Sequence, residues 1–553
     1  MSFGPLTFAQ WRALDDDQRE ARLNTPVEAA WIVPPSRFPR TAAEGPLSGL
    51  PFAVKDNIDV AGVATTAACP DFAYTPDVSS AAVQRLADAG AVAVGKANLD
   101  QFATGLVGTR SPYGIVRNVH DADYIGGGSS SGSAALVASG AVAFALGTDT
   151  AGSGRVPAGL QGIVGLKPTR GWFSCRGVVP ACRSLDCVSV FAASVDDAVL
   201  VSSVLGAYDA GDPYSRARPP VEFRTPTRRL AVPASLDWFG DEAQARAWEA
   251  SLNRWKALGY ALVPVDPEPL FAMAALLYEG PWVAERVAAL TGFFPERAAS
   301  VHPVVRTILE GASRFDAASV FRAEDRRREL ERVIAGLWDG CDALLVPTVP
   351  RVYKVDEVLA DPIAANSRLG TWTNFVNLAD LCALSVPAGT RSDGLPFGVT
   401  LIGRAWEDGA LARLGREWEV WNDEVRVAVV GAHLSGLPLN PLLTRRGARL
   451  IRPGATAPLY RLFALEDQKP PKPGLIRVGE GGGKIALEVW AIPRAAYGAF
   501  VAEIPPPLGI GTLELDDGSR VQGFLCEAWT TAGRRDITEW GGWKAWLASL
   551  APS

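Results

Sequence analysis

The segment on which the architecture depends is GGGSSSGSAALVASGAVAFALGTDTAGSGRVPAGLQGIVGLKPTRG, residues 126–171. It contains two loops of small residues, GGGSSSG at 126–132 (loop one) and TDTAGSG at 148–154 (loop two), separated by an apolar segment. Glycine lets a substrate approach backbone N–H groups closely, and a serine in such a loop is a candidate nucleophile. Two flexible turns are the alternative interpretation. Two such loops in succession, with a lysine-bearing strand upstream, favour a catalytic site.

Length and composition limit the classes to which the protein can belong. The chain has 553 residues, of which 48% are hydrophobic and 21% charged, and its formal net charge is −6. This length exceeds what one hydrophobic core usually covers, so we expect at least two domains. The negative charge weighs against nucleic-acid binding. The N-terminal residues do not resemble a signal peptide, and the most apolar run, 134–146, is too short to span a bilayer. We therefore expect a cytoplasmic protein that binds neither nucleic acid nor membrane.

The cysteines do not indicate a metal site. Seven are scattered along the chain, and the spacing of the one cluster, Cys175, Cys182 and Cys187, does not match that of zinc ligands. Reduced thiols are the expected state. We expect no metal and no organic cofactor, and biotin in particular is excluded because neither Met1 nor Met273 belongs to a Met-Lys acceptor motif.

Strand and helix patterns alternate through the first part of the chain. Residues 49–60 read as a strand that enters a polar turn, 79–89 as a helix and 91–96 as a short buried strand. This alternation predicts an α/β layered core. Beyond residue 424 the pattern changes to short strands broken by Pro and Gly clusters such as KPPKPG and IPPPLGIG. We predict a catalytic domain at 1–424 and a smaller, β-rich α+β domain at 425–553.

The sequence offers little support for a Ser-His-Asp hydrolase. Neither glycine-rich loop has the G-x-S-x-G pattern, and the chain has only three histidines. Lys55 is the better candidate for a base, because the apolar residues before it would desolvate its ammonium and favour the neutral amine. The alternative is a structural lysine paired with Asp56.

These motifs together resemble the amidase signature family. The residues that carry the resemblance are AVKDN around Lys55, GGGSSSG around Ser129, GTDTAGSGR around Ser153, GLKPTRG at 165–171, the Ser184-Leu185-Asp186 element and PFGVTLIGR at 396–404. The spacing of the lysine and the two serines also agrees with the family pattern. The resemblance covers about residues 50–405. It implies a large, mixed, mostly parallel sheet with helices on both faces, and hydrolysis of an amide.

The resemblance also implies roles for individual residues. Ser153 would be the nucleophile, Ser129 (after a cis peptide bond) would pass its proton on, and neutral Lys55 would receive it. The remaining assignments are an oxyanion hole made by the N–H groups of Thr150, Ala151, Gly152 and Ser153, substrate contacts from Gly105, and supporting roles for Ser130, Asp149 and Arg155. For Arg155, a contact with the substrate is the alternative.

Within the family, the part after residue 424 resembles the allophanate hydrolases. The similar segments are 427–440, 456–465, 472–490, 504–518 and 536–547, and the ordered pair Tyr278 and Arg286 agrees with residues that engage the substrate carboxylate there. Arginine suits a carboxylate because its planar fork binds both oxygens. Pro281 lies between the two residues, so helical phase does not settle whether they share a face.

The implied reaction is hydrolysis of allophanate (urea-1-carboxylate) to ammonia and N-carboxycarbamate, with ammonia and carbon dioxide as final products. The second domain would assist decarboxylation, with His433 as acid/base and Tyr460, Lys472 and Arg477 as weaker partners. The resemblance favours a homodimer and allows association with urea carboxylase. Two alternatives stay open: an amidase for another small carboxylate-bearing amide with the second domain as an assembly module, and a non-catalytic partner subunit of urea carboxylase.

Overall fold

The structure is a computed structural model, and it describes residues 4–37, 44–220, 225–422 and 424–550. The chain divides into two compact units, Met1–Arg416 and Glu417–Ser553. The division falls a few residues before the boundary that composition predicts near 424. Among the described residues, no helix combines the length and the apolar character needed to cross a membrane.

The strands of the first unit form one large sheet. Their bounds are β1 Trp31–Val33, β2 Pro51–Lys55, β3 Val92–Ala97, β4 Phe144–Asp149, β5 Val164–Lys167, β6 Cys187–Ala192, β7 Arg229–Pro233, β8 Ala261–Val265, β9 Ala343–Pro347, β10 Leu381–Thr390 and β11 Pro396–Arg404. The α-helices that accompany them are α1 Phe8–Arg12, α2 Asp16–Leu23, α3 Ala81–Asp88, α4 Ser131–Ala138, α5 Val156–Gln161, α6 Val195–Leu205, α7 Glu242–Ala257, α8 Glu268–Tyr278, α9 Trp282–Ala289, α10 Pro303–Glu310, α11 Ala317–Gly336, α12 Val355–Ala360, α13 Pro362–Leu369, α14 Phe375–Leu378 and α15 Asp408–Asn422. The strands and helices expected between 49 and 96 are confirmed.

The sheet has 11 strands in the order β1-β3-β2-β4-β6-β5-β10-β11-β9-β7-β8. Parallel pairs occur toward its two sides, in β3-β2-β4 and β9-β7-β8. The strands between these two groups pair antiparallel. The expected large mixed sheet is confirmed, but the expectation that it is mostly parallel is wrong. Helices such as α3 and α7 connect parallel neighbours, whereas a short loop joins β10 to β11, and only antiparallel strands can be joined so tightly.

Strand β2 and helix α4 are buried on every side. Strand β2 ends at Lys55, and α4 begins within loop one. Each residue of β2 is buried, as expected of an apolar run in the middle of a sheet. Helix α4 is also buried along its whole length, since it consists only of small and aliphatic residues. Its packing is close: a Cβ added at Gly132 would lie 2.3 Å from the carbonyl oxygen of Ala30. Loop one is therefore anchored in the core.

The second unit contains two sheets. Its elements are β12 Glu424–Val429, β13 Arg449–Ala455, β14 Tyr460–Leu465, β15 Lys472–Arg477, β16 Ala486–Pro493, β17 Leu508–Glu514, β18 Arg520–Cys526, α16 Pro441–Thr444, α17 Arg494–Ala502 and α18 Trp543–Ser549. Five strands pair in the order β13-β16-β12-β18-β17, and β14 pairs with β15. The expected β-rich character is confirmed, although the sequence patterns did not reveal β13, β14 or β15.

Candidate active site

The lysine and the two serines lie together as a buried, hydrogen-bonded group, here called the Lys–Ser–Ser cluster (Lys55, Ser129 and Ser153). Lys55 Nζ lies 2.8 Å from Ser129 Oγ, and Ser129 Oγ lies 2.9 Å from Ser153 Oγ. All three residues are buried. The peptide bond between Gly128 and Ser129 is cis. The arrangement connects an amine to a hydroxyl through a second hydroxyl, without a histidine.

The topology explains why residues so far apart in sequence meet. Lys55 is the last residue of β2, and loop two begins in the last two residues of β4 and continues beyond them. These strands are parallel neighbours, with Val54 opposite Leu146, so their carboxyl ends lie at the same edge of the sheet. Ser129 lies just before α4, and Ser130 fixes loop one to β4: its Oγ donates to Thr148 O (3.1 Å) and accepts from Thr148 N (3.3 Å). Ser130 therefore holds the two loops together.

Burial lowers the proton affinity of Lys55. It lowers the pKa of Lys55 from 10.5 to about 7, although Asp100, Asp186 and Asp149 oppose the shift. Lys55 Nζ also donates to Thr148 Oγ1 at 2.7 Å. A substantial fraction of Lys55 is therefore the neutral amine at neutral pH, as the sequence interpretation required. The alternative pairing with Asp56 does not occur, because Asp56 pairs with Lys96 at 3.0 Å.

Loop two is braced by a buried ion pair. Both oxygens of Asp149 accept from Arg155, with Nε and Nη2 each 2.9 Å away. Arg155 Nη2 also donates to Thr373 O and Asn377 Oδ1. Burial alone would raise the pKa of Asp149, but Arg155, Lys167 and the Gly154 N–H outweigh it and hold that pKa below its ordinary value. The structure thus places Arg155 as a brace, as one of its two predicted roles requires.

The oxyanion hole predicted from loop two needs one correction. The N–H of Gly152 donates to Asp149 Oδ1 at 2.9 Å, so it is not free to bind an oxyanion. Within the described residues, the N–H groups of Thr150, Ala151 and Ser153 have no acceptor. Gly152 contributes in another way, since a Cβ there would lie 2.3 Å from Thr373 Oγ1. Three unpaired donors beside a buried hydroxyl can stabilise a developing negative charge.

Gly105 faces the cluster from the opposite loop. Its carbonyl oxygen lies 3.4 Å from Ser153 Oγ. The carboxylate of Asp100 shapes this loop by accepting the N–H groups of Val107, Gly108 and Arg110. A Cβ at Gly105 would lie 2.6 Å from Asp100 Oδ2, so no other residue fits without displacing the loop.

Tyr278 and Arg286 come together across the break at Pro281. Helix α8 ends at Tyr278, α9 carries Arg286, and the guanidinium carbon lies 5.4 Å from the centre of the tyrosine ring. Arg286 is only 2% exposed. Its Nη1 donates to Thr104 Oγ1 at 3.0 Å, its Nε has no partner, and no described carboxylate forms an ion pair with it. A buried guanidinium without a counter-ion, bonded to the residue before Gly105, is prepared to receive an anion.

The second unit brings together some of its predicted residues and separates others. His433 stacks on Phe524 (4.9 Å between ring centres) and lines a cavity of about 180 Å³ together with Lys472. Burial and the charge of Lys472 lower the pKa of His433 to about 4, so the imidazole is neutral at pH 7. Tyr460 and Arg477 lie outside this lining. The Tyr460 hydroxyl accepts from Glu514 N, and Arg477 pairs with Glu514, which corrects their assignment as partners of His433.

Comparison with known proteins now defines the family. The amidase family matches residues 34–412, and the allophanate hydrolase C-terminal domain matches residues 425–548. The chain belongs to the amidase family. Over its whole length it is similar to the crystal structure of Kluyveromyces lactis allophanate hydrolase, with 42% identity, a TM-score of 0.71 and coverage of 99% of this chain and 100% of that one.

Two further relatives in the amidase family match the chain in part, because one is a much longer protein and the other corresponds to only three quarters of this chain. The urea amidolyase of Lachancea kluyveri is 46% identical over 547 residues, which is 91% of this chain and 30% of that protein. The chain thus spans about a third of the length of this relative. One of the subunits of the glutamyl-tRNA(Gln) amidotransferase of Thermotoga maritima is 31% identical with a TM-score of 0.64, over 74% of this chain and 94% of that one.

Several residues of the amidase site were missed at the sequence level. Asp186 accepts from Thr150 Oγ1 (2.5 Å) and from the N–H groups of Ala181 and Cys182, and burial raises its pKa to about 6. The position of Asp186 in the Ser184-Leu185-Asp186 element, which carries part of the family resemblance, could have indicated this role. Asn377 Nδ2 donates to Asp149 O at 2.7 Å, and nothing in its local sequence indicates this role.

Proposed function

We propose that this chain hydrolyses the terminal amide of allophanate, releasing ammonia and N-carboxycarbamate, with carbon dioxide and further ammonia as final products. The Lys–Ser–Ser cluster supplies the hydrolytic chemistry. The full-length similarity to an allophanate hydrolase and the partial similarity to urea amidolyases support the choice of substrate.

The observation that carries the substrate assignment is Arg286. It is buried, forms no ion pair with a carboxylate in the described part of the chain, lies against Tyr278, and hydrogen-bonds to the residue before Gly105. Allophanate carries a carboxylate at the end opposite its terminal amide. Binding that carboxylate at Arg286 compensates the buried charge and directs the amide toward Ser153. A neutral amide would leave the guanidinium unpaired, at a cost in binding free energy.

The first step forms an ester. Ser153 Oγ attacks the carbonyl carbon of the terminal amide, its proton moves to Ser129, and the proton of Ser129 moves to neutral Lys55. The N–H groups of Thr150, Ala151 and Ser153 stabilise the oxyanion. The same path then returns a proton to the leaving nitrogen, the C–N bond breaks, and ammonia departs.

The second step restores the enzyme. Water attacks the ester carbonyl while Ser129 and Lys55 take up its proton, the bond to Ser153 Oγ breaks, and Oγ recovers a proton along the same path. The product, N-carboxycarbamate, carries two carboxylates once the new carboxylic acid has lost the second proton of the water molecule to solvent. Loss of carbon dioxide from it breaks a C–N bond and leaves an electron pair on nitrogen, which needs a proton.

The cavity of His433 is the proposed location for that later step. Lys472 supplies positive charge for the carboxylates, and the neutral His433 can relay a proton to nitrogen. The alternative is that the second unit is an assembly module, and His433→Ala tests it. If the cavity assists decarboxylation, this variant should release ammonia from the first unit at the normal rate but release carbon dioxide from the carbamate intermediate more slowly. A urea carboxylase partner, a homodimer and a cytoplasmic location stay predictions.

The rate of ammonia release should depend on pH through Lys55. The base is the neutral amine, and the pKa of Lys55 is about 7, so kcat/KM should rise with pH and level off above that value. Below about pH 6 the slope should approach tenfold per unit. The check is a pH profile of ammonia release at fixed ionic strength. A flat profile through pH 7 would contradict the neutral-lysine mechanism.

Arg286→Gln tests the substrate assignment. We expect kcat/KM for allophanate to fall about 10²- to 10³-fold, because a charge-assisted contact is lost from a buried site. Turnover of a neutral amide such as propionamide should not fall, and Arg286→Lys should be intermediate. Equal losses for both substrates would leave the amidase mechanism standing and overturn allophanate as the substrate. The runner-up, another carboxylate-bearing amide, predicts faster turnover of malonamate than of allophanate by the unaltered enzyme.

A further inference from the structure

A second buried arginine also contacts Thr104. Arg110 is 1% exposed, its Nη1 donates to Thr104 O at 3.0 Å, and its Nη2 donates to Pro362 O at 2.8 Å. Its Nε has no partner, and among the described residues no carboxylate forms an ion pair with its guanidinium. Arg110 and Arg286 therefore both bind Thr104, one through its carbonyl oxygen and the other through its hydroxyl.

The two buried guanidiniums differ in how their charge is compensated. Burial would lower the pKa of Arg286, but nearby groups that include the carboxylates of Asp186 and Glu285 hold it above its ordinary value. Burial lowers the pKa of Arg110; Asp100 opposes this shift and Arg286 adds to it. The carboxylate oxygens of Asp100 are occupied by three backbone N–H groups, so they do not neutralise either arginine through a direct contact. An anion beside Arg110 would offset both its burial and the repulsion from Arg286.

Arg110 lines a cavity of about 280 Å³, here called the Arg110–Arg314 cavity. The lining contains aliphatic side chains but no acidic residue, and its other polar members are Tyr278, Thr307, Arg314, Asn366 and Ser367. Arg314 is exposed and forms no ion pair among the described residues; its Nη2 donates to Tyr278 O at 3.0 Å. The cavity thus joins a buried cation to one at the surface.

The walls of this cavity connect directly to the catalytic site. Tyr278 lines the cavity and also has Arg286 against its ring. Asn366 Oδ1 accepts from Leu106 N at 2.8 Å, which ties the opposite wall to the residue after Gly105. An anion in the cavity therefore lies beside the same tyrosine that has Arg286 against its ring.

We propose that the Arg110–Arg314 cavity is an outer binding site for the carboxylate of a small anionic amide, through which the substrate reaches Arg286 past Tyr278. This inference rests on the proposed function only in taking the ligand to be a carboxylate-bearing amide. Arg314 attracts the anion at the entrance, and Arg110 receives it inside. The site selects for charge before the substrate contacts Ser153, since a neutral amide gains nothing from either guanidinium.

Arg314→Gln tests the outer site, because Arg314 is exposed and its replacement leaves the buried core intact. KM for allophanate should rise about 3- to 10-fold with kcat within about twofold, and the salt dependence of kcat/KM should weaken. Malonate, a non-hydrolysable dicarboxylate, should bind more weakly by a similar factor in calorimetry. Arg314→Lys should retain most of the affinity. Arg322→Gln is the matched control, since it removes an exposed charge of α11 outside this cavity.

The outcomes separate the competing explanations. If Arg314 acts only by holding the Tyr278 carbonyl, KM for propionamide will rise as much as KM for allophanate, and the outer site is overturned. Unchanged malonate affinity and unchanged salt dependence in Arg314→Gln would overturn it as well. If the unaltered enzyme does not turn over allophanate, the proposed function fails, while the malonate titration still decides whether the cavity binds a carboxylate.

Discussion

Replacing Ser153 by alanine should reduce kcat/KM for allophanate about 10⁴-fold or more, because the change removes the hydroxyl oxygen proposed to form the ester. Ser153 Oγ is the end of the Lys–Ser–Ser cluster, 2.9 Å from Ser129 Oγ and 3.4 Å from Gly105 O. The residual rate reflects substrate binding and the backbone donors of loop two. Ammonia release under saturating and limiting substrate measures both parameters.

Two serine variants make this result specific. Ser129→Ala keeps the nucleophile but breaks the path to Lys55, so its loss should be smaller, about 10²- to 10⁴-fold. Ser189→Ala is the matched control: Ser189 is buried on β6, its Oγ has no partner, and activity should be retained. Malonate binding to Ser153→Ala should be unchanged. Substantial turnover by Ser153→Ala would show that a group other than Ser153 is the nucleophile.

Replacing Lys55 by methionine should reduce kcat/KM about 10²- to 10⁴-fold and, at pH 6 to 7, stabilise the fold by about 1–3 kcal/mol. The activity falls because the base is lost. The stability rises because a fully buried lysine with hydroxyl partners but no carboxylate partner is replaced by an apolar side chain of similar length. Chemical denaturation with a urea series measures the free energy of unfolding.

The sign of this effect follows from linkage. The pKa of Lys55 is about 7 in the folded chain, against 10.5 as the ordinary value. Between these values the unfolded chain binds more protons, so the free energy of unfolding of the unaltered protein rises with pH. The advantage of Lys55→Met should therefore shrink toward pH 10. A stability difference that does not vary with pH would show that the lysine is not titrating in this range.

Lys96→Met provides the contrasting case. Lys96 is as buried as Lys55, but it pairs with Asp56 at 3.0 Å. Its removal leaves a buried carboxylate without a counter-ion, which is strongly destabilising. Opposite signs for two buried lysines on neighbouring strands would demonstrate that the free energy depends on the partner and not on burial alone.

Much of the candidate site could be predicted because its signals are local. Ser129 and Ser153 stand in glycine-rich loops, and Lys55 ends an apolar strand, so each residue carries its own pattern. Which backbone N–H groups of loop two are free to bind an oxyanion could not be predicted in this way. Gly152 is adjacent to the nucleophile in sequence, yet its N–H is taken by Asp149 because Arg155 fixes that carboxylate beneath the loop.

The chemistry-bearing loops, the buried lysine strand and the change of composition near residue 424 can all be predicted from the amino-acid sequence, since they depend on short-range composition and spacing. The strand directions, the meeting of Tyr278 and Arg286 across Pro281, and the contacts of Arg110 and Arg286 with Thr104 become known only from the folded chain. Strand pairing depends on which distant segments become neighbours. The function of a buried charge depends on whether folding places a carboxylate in direct contact with it, and among the described residues neither arginine has such a contact.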